Sequence, residues 1–131
     1  MERVFINPVW CRAIFKHLLV NPELIKKFNF RSEYFTKELD TLFDAVNYYL
    51  SKHEGTVYSL NVVYAAYFDK IKPDMRHVYY ADDKSVYGQE NVDKLYHILT
   101  TIRALYDAIE ESYSTLSPIF IEEKLKELVQ Q

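Results

Sequence analysis

Glycine is almost missing from this chain: Gly55 and Gly88 are the only two in 131 residues. A sheet protein with several tight turns at positive φ needs more of them, and so does a phosphate loop built on close backbone approach. The single cysteine, Cys11, excludes an internal disulfide. No run approaches the roughly 20 apolar residues that cross a bilayer. The longest uncharged stretch, 55–68, carries tyrosine and asparagine. The amino-terminal residues also lack the basic, apolar, small-residue order of a secretion signal. These absences predict a cytoplasmic helical chain, and 131 residues suit one domain that does not enter a membrane.

Aromatic side chains are abundant instead, with twelve Tyr, eight Phe and one Trp. Tyrosine joins an apolar body to a polar tip and tolerates a half-wet interface, so some of these rings are expected to face a partner. Charge is unevenly divided. Residues 1–37 carry seven Lys/Arg against three Asp/Glu, whereas the remainder is acidic and brings the net charge to −3. A basic end can touch phosphate, but scattered cations more often solvate a surface, so direct DNA contact is expected to be weak.

Local signals place the helices. Asn7-Pro8 and Asn21-Pro22 each read as a cap followed by proline at the first helical position. They predict a helix over 8–20 with Trp10, Cys11, Ala13, Ile14, Phe15 and Leu18 on a broad apolar face, then a short helix over 22–28. After a loop over 29–35, Leu39, Leu42, Phe43, Val46, Tyr49 and Leu50 recur at helical spacing, with Gly55 as a terminator. Ser59 caps a helix expected over 60–70, which Pro73 ends. Residues 75–80 read as either a helical turn or an extended piece. The segment 81–90 reads as a mobile loop, so the single domain divides into a helical cluster (1–80), that loop, and a carboxy-terminal part (91–131).

In that last part Val92, Leu95, Leu99, Ile102, Tyr106, Ile109, Tyr113 and Leu116 follow one another at spacings of 3, 4, 3, 4, 3, 4 and 3. One long helix is required to carry such a stripe. Ser117-Pro118 opens a final helix with Ile121, Leu125, Leu128 and Val129, and the short link predicts a long antiparallel helical hairpin. The fold class expected is therefore all-α. Because the last helix is the shorter, part of the long stripe is expected to remain for another chain. Leu95, Leu99, Ile102, Tyr106, Ile109 and Tyr113 form the candidate oligomer interface.

Constellations that carry chemistry are not apparent. Gly55 and Gly88 lie 33 positions apart and neither precedes the Lys-Ser/Thr pair of a P-loop. His17, His53, His77 and His97 fall on separate predicted elements without zinc-ligand spacing, and read as surface or half-buried residues. Cys11 lies on an apolar helix face, where a thiol packs as a small hydrophobe. Adjacent Asp82 and Asp83 point apart and read as a solvated loop. No catalytic, cofactor or metal residue is expected within this chain.

The run from Ala13 to Ile25, with Leu18-Leu19 ending one helix and Pro22-Glu23-Leu24-Ile25 beginning the next, resembles the opening of DnaB-type replicative helicases. Thr41-Leu42-Phe43-Asp44-Ala45-Val46 and Tyr49-Leu50 resemble a later helix of that family. Ser32-Glu33-Tyr34-Phe35 and Ser59-Leu60-Asn61-Val62 are closer to helicases of T-even-like phages, and Arg103 to Ile109 falls where the family has its hairpin. Residues 71–91 depart from the pattern. The resemblance implies a non-catalytic amino-terminal domain that self-associates as a dimer or ring and binds primase and helicase loader in a phage-infected bacterial cytoplasm. It also implies that the chain is a fragment of an ATP-dependent helicase, with ATP and Mg²⁺ held only by a motor domain beyond Gln131. A helicase-binding domain of a primase, or a stand-alone phage adaptor, is the alternative.

Overall fold

One helix is covered on nearly every side. In α1 (Pro8–Val20), Cys11, Ala13, Ile14, Phe15, His17, Leu18 and Leu19 are all buried. Its neighbours are α3 (Lys37–Lys52), α6 (Gln89–Thr115) and α7 (Pro118–Val129). The computed structural model describes residues 8–129, and among them there are helices and turns but no strand. The all-α expectation holds. Asn7, the first expected cap, lies outside the described residues.

The expected antiparallel hairpin of α6 and α7 is not confirmed. The extended contacts of α6 and of α7 run to α1 rather than to each other. The physical reason lies in α1 itself, whose apolar side chains ring most of its circumference and supply the surface that both helices need. Ile109 of α6 and Ile121 and Leu125 of α7 belong to the same buried cluster as Ile14, Phe15 and Leu18. Burying each such side chain contributes about 1.5–3 kcal/mol.

Two expected caps are present. The Ser59 hydroxyl accepts from the Val62 amide at 3.3 Å to open α4 (Leu60–Ala66), and the Ser117 hydroxyl accepts from the Phe120 amide at 3.1 Å to open α7. Asn21 acts differently. Its side-chain amide donates to the His17 carbonyl at 3.0 Å and so closes α1 instead of capping α2 (Glu23–Lys27).

The loop over 29–35 contributes to the core. It holds a 3₁₀ turn, Ser32–Tyr34, and buries Phe30 and Phe35, 4.9 Å apart, with Phe35 against Phe15 and both against Phe43 at ring separations of 5.2–6.0 Å. Helix α4 passes into a π-helical turn, Tyr67–Ile71, where the Lys72 amide donates to the Tyr67 carbonyl at 2.9 Å. The ambiguous segment resolves as α5 (Arg76–Tyr80). The expected mobile loop contains a 3₁₀ turn, Lys84–Tyr87. Asp83 caps it through the Ser85 amide, and the Lys84 ammonium donates to the carbonyls of Tyr79 and Ala81. Gly88 follows at φ +87°, a conformation that L side chains rarely adopt, and α6 begins at the next residue.

Candidate functional site

The six stripe residues on α6 are occupied largely within their own chain. Leu95, Ile102 and Ile109 are buried, while Leu99, Tyr106 and Tyr113 are half-buried. Leu95 packs with Phe68 of the π turn, Met75 and Val78 in a second apolar cluster, and Leu99 lies against that cluster. Ile102 and Ile109 join the main core. Tyr106 stacks on Tyr58 at 5.6 Å, and the Tyr113 ring lies 5.9 Å from His17. The face left over by the shortness of α7 is thus partly covered within the chain, by α1, Tyr58, the π turn, Met75 and α5, elements the stripe itself does not reveal.

A neighbouring line on α6 is partly exposed, its Ile98 and Leu105 half-buried against the core. Lys94, Ile98, Thr101 and Leu105 are spaced 4, 3 and 4, and they border three depressions that share residues. The middle one, about 300 Å³, lies between α6 and α3, with Leu42, Tyr67, Ile98, Ile102 and Leu105 on its apolar walls and Glu38, His97 and Thr101 among its lining. The depression beyond it, towards Asn91, shares His97 and Ile98, and the one on the other side shares Glu38 and Leu105. Adjoining at these shared residues, the three depressions line up as a segmented trough beside α6 from Asn91 to Leu105, roughly 20 Å at helical rise. Of the six expected interface residues, Ile102 lines it. Ile98 and Leu105 were missed because they sit one position before Leu99 and Tyr106; their seven-residue separation is the signal that marks a second stripe.

Polar groups cluster where α1 meets α6. Lys16 pairs with Glu110, and the Tyr58 hydroxyl is buried with its pKa driven far up, by burial first and then by the Glu110 charge. His17 Nδ1 lies 3.3 Å from the Tyr113 hydroxyl, and burial lowers the imidazole pKa against the opposing pull of Glu122 and Glu23. The expectation that all four histidines are surface or half-buried therefore fails at His17, which is 5% exposed, while His53, His77 and His97 are exposed.

Cys11 is fully buried. Asp83 accepts from the Ser85 hydroxyl and amide, which hold its pKa below the usual carboxylate value. Asp82 is exposed. Among the described residues no three His, Cys, Asp or Glu are grouped to hold a metal ion, and no helix is long and apolar enough to cross a membrane. Comparison with protein-family models, curated proteins and solved structures finds no match.

Proposed function

We propose that this chain is a non-catalytic docking domain that assembles with copies of itself and binds partner proteins, in the manner of the amino-terminal domain of a phage replicative DNA helicase. The trough along α6 carries this reading. Its middle is walled by Leu42, Tyr67, Ile98, Ile102 and Leu105, its two flanks carry polar and charged side chains, and its length suits a helix face presenting residues at i, i+3 and i+7. The occupant we assign is an apolar helical surface of a second copy. A trough received by a different surface of the next copy is a head-to-tail contact, and such contacts close into rings when the rotation allows.

The order of segments from Ala13 to Val62 supports the helicase-type reading, with primase and loader as the further partners. Nucleotide chemistry is assigned to a separate motor domain. Thr101→Arg tests the docking surface, because Thr101 is exposed and lines the trough, so the longer charged side chain obstructs docking without entering the core. The expected result is loss of cross-linked dimers and higher species with an unchanged melting temperature. Undiminished cross-linking would remove the trough as the assembly surface.

A further inference from the structure

Helix α7 exposes an apolar residue and an acidic one on the same face. Ile119 is 72% exposed at its start, and Glu123, one turn further on, is exposed as well. Glu123 pairs with no cation among the described residues, whereas its neighbour Lys124 pairs with Glu127 at 3.3 Å. The trough beside α6 has the matching order. Ile98 borders its apolar middle, and Lys94, one turn earlier, lines the flank towards Asn91 together with Lys72, His77 and His97. Asp74 is the one carboxylate among the described residues of that lining. The Lys72 and Lys94 ammoniums stand 3.7 and 3.6 Å from Asp74 and Glu90, longer than hydrogen bonds, with their side chains 44% and 60% exposed. Positive charge thus remains open in this flank, on a chain whose net charge is −3.

Within one chain the two surfaces stay apart. Helix α7 makes its extended contacts with α1 alone, and α6 runs about 27 Å at helical rise from His97 to Thr115 before α7 begins. Two copies can bring them together. In an antiparallel alignment Ile119 falls on Ile98 and Glu123 beside Lys94, because four residues separate each pair on its own helix. We propose that the exposed start of α7 in one copy is the surface that docks on the α6 trough of the next, with Ile119 covering Ile98 and Glu123 answering the flank cations. This pairing rests on the trough being the assembly surface, as proposed above, and fixes what fills it. Since the contacting surfaces differ, the copies join head to tail, and each end of an open series keeps one surface free.

Reciprocal charge reversal, read by sedimentation velocity at about 100 μM, tests the pairing. Lys94→Glu and Glu123→Lys, both at exposed positions, are each expected to weaken self-association about 10-fold or more, because like charges then meet across the contact. An equimolar mixture of the two variants is expected to regain assembly, since each α7 then finds a trough of opposite charge in the other variant. Melting curves establish that both are folded. Native assembly that Thr101→Arg abolishes but neither reversal changes would overturn the α7 pairing and leave the trough as the assembly surface. Reversals that weaken assembly with no recovery in the mixture would overturn the pairing as well. A native chain that stays monomeric would remove both.

Discussion

Glu110 of α6 holds Lys16 of α1 across 94 positions of sequence, and the same ammonium lies 4.8 Å from the centre of the Tyr113 ring. The two side chains are 19% and 32% exposed, so the pair fastens the central helix to the longest one in a partly desolvated setting. Removing one partner leaves the other charge short of solvent, which costs more than the pair gains. Glu110→Leu is expected to lower stability by about 1–3 kcal/mol, discounted for the remaining exposure. The double substitution Lys16→Met with Glu110→Leu should recover part of that loss. Urea unfolding of the two single variants and the double variant measures the coupling, and additive losses would mean that the pair does not act as a unit.

His17 makes stability depend on pH. Its imidazole is buried, and burial lowers its pKa from the ordinary 6.5. In the unfolded chain it protonates near 6.5, so just below that pH the unfolded state binds more protons than the folded one. Stability is therefore complete above about pH 6.5 and falls as pH drops through the window between the unfolded and folded values. Urea midpoints at about pH 7.5 and about pH 5.5 should differ more for the native chain than for His17→Leu. An equal difference would show that the pH response arises elsewhere.

Two leucines four positions apart on α6 should respond differently to truncation. Leu95 is fully buried between Phe68, Met75 and Val78, so Leu95→Ala opens a cavity and is expected to cost about 2–5 kcal/mol. Leu99 lies half-buried against that cluster, and Leu99→Ala should cost distinctly less. Denaturant midpoints at constant m-value measure both, and equal losses would contradict the burial of the stripe.

The cap at Ser59 is a single contact with a measurable effect. Its hydroxyl accepts from the Val62 amide at the start of a helix of only seven residues. Ser59→Ala is expected to destabilise the chain by about 1 kcal/mol, whereas Ser59→Asp, which retains an acceptor, should remain near the native value. Thermal melts of the two variants distinguish capping from a general surface effect.

How much of this was legible depended on how local each signal is. Ser59 and Ser117 announced their helices because a cap acts within three residues, and the stripe from Val92 to Leu116 announced α6 because its period is internal to the helix. What covers that stripe was not legible, since the covering side chains come from α1 and from the 67–80 segment, far away in sequence. Phe30 and Phe35 looked like loop residues because they lack helical spacing, yet they pack against Phe15 and Phe43. Asn21-Pro22 had the residues of a cap, but the Asn21 amide had a nearer acceptor in the His17 carbonyl. The π turn at Tyr67–Ile71 left no periodicity to read, and so the meeting of Lys70 with Tyr48 was hidden as well. The trough was half legible: Ile98 and Leu105 are a heptad apart, but only the position of α3 shows that they line open space.

Sedimentation velocity of the native chain, from about 5 to about 200 μM and beside Thr101→Arg, tests assembly through the α6 trough most directly. A weight-average sedimentation coefficient that rises with concentration towards a dimer or ring, and stays at the monomer value for Thr101→Arg, is the predicted result. A native chain that remains monomeric across the whole range would contradict it.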